Sequence, residues 1–309
     1  MDKMLLLYIL ISFSVAMPLF LIAIPWLKKI KFTQFIRKEG PREHKTKKGT
    51  PTASGIIFLI IPALFLPFYY NKTFLFLYLA LLLNGLIGFI DDFVSTRKGE
   101  SLGLSARKKI ILQIFVSILL FIIGKDLIST TVSIRTWSLQ MRNISYFILY
   151  LLIMVGSSNA FNLTDGIDGL LGSLSIPLFF TFIIIGNIAT KTISSIIIGA
   201  LLAYLWFNRP KAAVFMGDTG SLALGGLFGA MGIINNSELL LPIMAIIPVI
   251  ETLSVIIQIS YFKLTHGKRF FKMAPIHHHF EKSGWSELKI DYRFLLITLV
   301  ACIFTVTIL

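Results

Sequence analysis

Ten apolar stretches divide the chain, near residues 4–27, 52–70, 73–90, 108–124, 145–160, 169–187, 192–207, 218–235, 238–262 and 293–309, with polar segments between them. A helix that crosses a bilayer needs about 20 mostly apolar residues. The pattern therefore predicts an all-α, polytopic membrane protein of about ten transmembrane helices, forming a single domain over residues 1–309. The opening stretch is too long for a signal-peptide core and carries no small-residue cleavage site, so it reads as an uncleaved first span. The ninth stretch holds Pro242, Pro248 and Glu251. Prolines permit a break there, and a carboxylate inside a span faces protein or water. An interhelix hydrogen bond is the simpler role for Glu251, and a functional role the alternative. Between the fourth and fifth stretches, Thr, Val, Ile and Trp alternate with polar residues, which predicts a small β-hairpin near 126–143 on the outer side.

Composition agrees with this pattern: 56% of residues are hydrophobic and 14% charged, against roughly 25% charged in soluble domains. A net charge of +14 would suit nucleic acid in a soluble protein, but its distribution argues otherwise. Of the 29 Lys and Arg residues, 23 fall in segments 28–51, 91–109, 157–169, 208–217 and 263–293, which follow the odd-numbered spans. By the positive-inside rule these segments are cytoplasmic and both termini face outward. No nucleic-acid partner is needed. The single cysteine, Cys302, lies in an apolar run, so the chain has neither a disulfide framework nor a cysteine zinc site.

The unusual polar sequences gather on the inner side. "HKTKKGTPTASG" (44–55) places lysines, hydroxyls and backbone amides at a helix start, a setting that suits an anion, although lysines there also serve sidedness alone. "GFIDDF" (88–93) puts Asp91 and Asp92 at a helix C-terminus, where acids are unfavourable. A divalent cation, a shared proton or a lysine must compensate, and Arg107, Lys108 and Lys109 open the next span. "NAFNLTDGIDGL" (159–170) spaces Asn159, Asn162, Asp165 and Asp168 at intervals of three, near one face if the segment is helical, and includes no Lys or Arg. In "NRPKAAVFMGDTGSLALGG" (208–226), Asp218 sits at a helix N-terminus, as a cap or as a hard-metal ligand; Mg²⁺ takes one or two carboxylates plus substrate phosphates. "APIHHHFEKSGW" (274–285) holds three of the five histidines. Three consecutive residues converge poorly on one tetrahedral zinc, and a mid-chain run makes a poor tag. Contact with a diphosphate or sugar suits His278 and His279 best, with His277 packing or orienting the loop. The inventory fits Mg²⁺-assisted handling of a phosphorylated, nucleotide-like substrate at the inner surface.

In this order, "KKGTPT", "DDF", "NAFNLTDGIDGL" and "GDTGSLALGG" resemble the polyprenyl-phosphate N-acetylhexosamine-1-phosphate transferase superfamily, over residues 44–287. "PIHHHFEKSGWSE" is similar to the mark of its phospho-N-acetylmuramoyl-pentapeptide-transferase branch. Ala53 and Ser54 stand where Met-Gly is expected, and the chain is short. The resemblance implies that undecaprenyl phosphate attacks the β-phosphate of UDP-N-acetylmuramoyl-pentapeptide, giving lipid I and UMP, at the cytoplasmic face of a bacterial inner membrane. It implies Mg²⁺ on Asp218, with Asp91 and Asp92 near the transferred phosphate as further acids or metal ligands, and His278 among the catalytic groups. Lys47, Thr52 and Lys109 would hold phosphates. Asn159, Asn162, Asp165 and Asp168 would shape the nucleotide site, Asn208 and Phe215 would lie beside the uracil, and His277 and His279 would contact substrate. A homodimer is compatible with it, though no segment marks an interface. The competing readings are a sister enzyme using UDP-N-acetylglucosamine, against which the histidine run argues, a secondary transporter, whose site would lie near the midplane, and a lipid-binding scaffold, which leaves the aspartates unexplained.

Overall fold

The computed structural model describes residues 2–33, 49–100 and 102–309. Lys47 lies outside them. The elements are α1 (Lys3–Lys29), α2 (Ile56–Phe65), α3 (Lys72–Lys98), α4 (Ala106–Ile123), β1 (Thr131–Ile134), β2 (Trp137–Gln140), α5 (Asn143–Thr164), α6 (Leu170–Ile185), α7 (Ile188–Phe207), α8 (Gly217–Ile234), α9 (Leu241–Met244), α10 (Ile246–Leu264), α11 (Ile276–Glu281) and α12 (Glu287–Thr307). Each apolar stretch carries a helix. Among the described residues, α1, α3, α5, α7, α10 and α12 are long and apolar enough to cross a membrane, while α2 and α6 are apolar but shorter. The expected hairpin is present: β1 and β2 pair antiparallel from Thr131 opposite Gln140 to Ile134 opposite Trp137.

At the centre stands α8, in which every residue from Thr219 to Ile233 is buried. Lipid tails are as apolar as leucine, so packing inside a membrane relies on close backbone approach at small residues rather than on the hydrophobic effect. The glycines of α8 and its neighbours supply that approach. A Cβ on Gly225 would lie 2.5 Å from the carbonyl oxygen of Ser157 on α5, and one on Gly88 of α3 only 2.0 Å from the carbonyl oxygen of Asp218. At the periphery, α1, α10 and α12 expose large apolar side chains such as Leu10, Ile22, Ile256 and Val300.

The ninth stretch is one apolar run but two helices. Pro242 lies in the first turn of α9, and Ala245 (φ −90°, ψ 39°) separates α9 from α10. Pro248 lies in the first turn of α10, where its missing N–H costs nothing. Glu251 follows on α10 and is fully buried. At the hairpin end of the bundle, buried Glu238 accepts the hydroxyl of Tyr146 at 2.7 Å.

Candidate functional site

The acids of "DDF" have separate partners. Successive helical residues point about 100° apart, so Asp91 and Asp92 face different neighbours on α3. The Asp92 carboxylate accepts the main-chain N–H of Asp218 at 3.1 Å, that of Thr219 at 3.0 Å and the Thr219 hydroxyl at 2.6 Å. It thus satisfies the first turn of α8 from another helix, where the open amides and helix dipole favour a carboxylate. Asp91 accepts the N–H of Leu104 at 2.8 Å and lies 3.3 Å from the Lys109 ammonium.

Asp218 does not cap its own helix. The N-cap position is Met216, which makes no side-chain cap bond. The Asp218 carboxylate accepts the Asn162 amide at 2.8 Å and the Lys109 ammonium, and Asn162 also donates to Ser221 at 2.9 Å. Lys109 therefore bridges Asp91 and Asp218. Thr52 arrives through backbone pairing: the N–H of Phe215 donates to Pro51 at 2.8 Å, and that of Gly55 to Met216 at 3.0 Å. Gly217 closes the corner at φ +69°, and a Cβ there would lie 2.4 Å from Asp92 Oδ2 and 2.8 Å from the Thr52 hydroxyl.

The equal Asx spacing does not make one helical face. Helix α5 ends at Thr164 with Asp165 as its C-cap, so Asp165 and Asp168 lie in the following turn. Burial, then the charges of Asp218, Asp92 and Asp168, push the Asp165 carboxyl well above its ordinary range. Asp168 is buried and accepts the N–H of Ala212 at 3.0 Å. Asn208 accepts the N–H of Gly169 at 3.0 Å and donates to the Val214 carbonyl at 2.7 Å. Both amide ends of Asn208 are thus used in holding the acidic turn to the 208–214 loop, while Phe215 stays half-buried. Asn159 points into the bundle and donates to Gln113 at 2.8 Å.

The histidines also diverge. His277 is fully buried, against Glu251. His278 Nδ1 lies 2.5 Å from Glu281, and His279 Nδ1 accepts the N–H of Lys272 at 3.1 Å. Sequence reasoning missed Glu281, Ser221, Thr219 and Gln113. The first three had a findable signal, each lying within one helical turn of a named site residue, whereas Gln113 meets Asn159 only through tertiary packing.

Two of the named residues, Asp91 and Asp218, share one ammonium, with Asp92 behind them and Asp165 desolvated nearby. Among the described residues no three carboxylates or imidazoles converge to hold a metal ion by themselves.

Residues 74–236, from α3 to just past α8, match Glycosyl transferase family 4. The chain is 43% identical over 307 residues to the phospho-N-acetylmuramoyl-pentapeptide-transferase of Halalkalibacterium halodurans, covering 95% of this chain and 94% of the relative. The chain belongs to the phospho-N-acetylmuramoyl-pentapeptide-transferase family. Transferases of the same name from Caldanaerobacter subterraneus subsp. tengcongensis (41% over 301 residues, 94% of each chain) and Bacillus thuringiensis (42% over 296 residues, 92% of this chain and 91% of the relative) are similarly close. The chain is thus a membrane-embedded phosphoglycosyl transferase. The family 4 match contains the acidic centre of this transferase, and the helix α11 histidines lie beyond it.

Proposed function

We propose that the chain transfers phospho-N-acetylmuramoyl-pentapeptide from its UDP donor to undecaprenyl phosphate, producing lipid I and UMP for peptidoglycan synthesis. The observation that carries this is the Asp91–Lys109–Asp218 bridge at the mouth of a buried glycine-rich helix, in a chain of this family. An oxygen of the acceptor phosphate attacks the β-phosphorus of the donor. The new P–O bond forms as the bond to the bridging oxygen breaks, and UMP leaves with that electron pair. A phosphate monoester has a second pKa of about 6, so direct attack requires no strong base at neutral pH.

The residues divide this work. Lys109, Thr52 and Lys47 hold phosphate oxygens, with Lys109 supplying charge where the diphosphate develops it. Asp218 and Asp91 would hold Mg²⁺, which when bound supplies Lewis-acid neutralisation of the diphosphate. Asn162 orients Asp218, and Asp92 positions it by fixing the first turn of α8. His278 reaches the donor from α11, with Glu281 setting its ring. The distribution of the basic residues supports ten crossings with outward termini, and with them a reaction at the inner face of a bacterial cell membrane.

Purified protein is incubated with undecaprenyl phosphate and labelled UDP-N-acetylmuramoyl-pentapeptide or UDP-N-acetylglucosamine, with and without Mg²⁺. Labelled lipid from the muramoyl donor alone, and only with the ion, is expected. Lipid product from UDP-N-acetylglucosamine, or none from either donor, would overturn the proposal.

A further inference from the structure

Glu251 is a carboxylate with no exposed surface, on a helix long and apolar enough to span a membrane. A buried charge or polar group without a partner is costly, so its surroundings show what it is for. Its Oε2 accepts the main-chain N–H of His277 at 3.4 Å. Its Oε1 lies 3.1 Å from Nδ1 of the same residue, at ion-pair distance but without hydrogen-bond alignment. His277 is equally enclosed. The far edge of its ring rests on the acidic turn, where a Cβ on Gly166 would lie 2.1 Å from His277 Nε2. Two side chains, Glu251 of α10 and His277 of α11, thus form a chain of contacts that ends at the residue next to Asp165.

The surrounding packing explains why a polar pin is needed. Ile167 and Leu170 of the acidic turn and α6, Leu174 of α6, Ile247 of α10, and Ile290 and Phe294 of α12 form a small apolar cluster separate from the main core. Apolar contact is non-directional, and so few groups set a spacing poorly. A hydrogen-bonded pair with one allowed geometry sets it better. The neighbouring ring of His278 lies 4.1 Å from that of His277, so whatever fixes His277 also fixes His278.

We propose that Glu251 is a positioning residue for the transfer reaction: through His277 it sets the spacing between the acidic turn carrying Asp165 and the helix carrying His278. The inference rests on the proposed reaction for its kinetic arm and on geometry alone for its second arm. A misplacement of about 1 Å can cost roughly 100-fold in rate. Glu251→Leu, His277→Ala and Gly166→Ala are each expected to lower kcat by about 10- to 100-fold with little change in the KM for undecaprenyl phosphate. Glu251→Gln, which keeps an acceptor for the His277 N–H, is expected to retain activity within about threefold. In Gly166→Ala/His277→Ala the added methyl fills the vacated space, and the double variant should lose no more than the worse single one. In the second arm, hydrogen exchange of amides 164–169 in detergent is expected to quicken in Glu251→Leu and His277→Ala and to stay at the wild-type rate in Glu251→Gln. If Glu251→Leu does not fold, the Gln variant and the Gly166/His277 pair still decide. Unchanged kcat in the single variants, multiplying losses in the double variant, or unchanged exchange would each overturn the proposal. Absence of wild-type turnover would instead refute the reaction and leave the exchange arm to judge the coupling.

Discussion

Buried Asp92 and half-buried Asp218 belong to the same centre, yet their removal should be felt in different ways. Asp92→Ala strips the α8 N-terminus of an acceptor that serves two main-chain N–H groups and a hydroxyl at 2.6–3.1 Å. A typical hydrogen bond contributes about 0.5–1.5 kcal/mol, and a buried donor left without a partner costs about 1–3 kcal/mol. These terms overlap and some water will enter, so a net loss of about 3–5 kcal/mol is expected. At about 2 °C per kcal/mol for a chain of this size, that lowers the melting midpoint by roughly 6–10 °C. Asp218→Ala removes one carboxylate, while Lys109 keeps Asp91 and Asn162 keeps Ser221. Its midpoint should fall by no more than about 3 °C, while Mg²⁺-dependent UMP release disappears. Thermal unfolding in detergent, paired with a UMP-release assay on the same samples, reads both quantities. A Asp92→Ala midpoint within about 2 °C of wild type, or normal turnover by Asp218→Ala, would refute the division of labour.

Asp165 offers a test by pH. Its folded-state carboxyl is pushed above the ordinary range, so its ionisation opposes folding. The penalty is absent below about pH 4, grows as pH rises past the unfolded-state value, and levels off above the folded-state one. Without metal, Asp165→Asn should therefore gain on wild type in melting midpoint between pH 4 and 8 while turnover falls; a midpoint difference flat with pH would contradict this. Gly88→Ala puts a methyl 2.0 Å from the Asp218 carbonyl oxygen. Displacing the α8 first turn should cost about 100-fold in kcat even where size-exclusion chromatography shows folded protein, and near-normal turnover would show that the approach is not needed.

The helices were legible because a bilayer demands long apolar runs, and the hairpin because its alternation is local. The break at Ala245 was foreshadowed by Pro242 and Pro248, though not its position. Helix α3 continues past the apolar run to Lys98, because Asp91–Lys98 has no helix breaker until Gly99 takes φ +70°. A lysine partner for the paired acids was among the stated options, and Lys109 beside Asp91 is that partner. The different duties of Asp91 and Asp92 were hidden, since they depend on how closely α8 approaches α3. Equal Asx spacing marks a single face only in a continuous helix, and α5 stops at Thr164, before Asp165 and Asp168. The burial of His277 could not be read from a histidine run, because its partner Glu251 lies 26 residues away on another helix.

Gly88 and Gly217 stand where α3, the N-terminal turn of α8 and the segment before α2 converge on the acids, and neither has room for a single added carbon. Mutational tolerance at these positions is therefore nearly nil. Resistance to an inhibitor bound at the acids is therefore expected to arise at the exchangeable side chains around them and not at these two glycines, whose close backbone packing holds the acids in place.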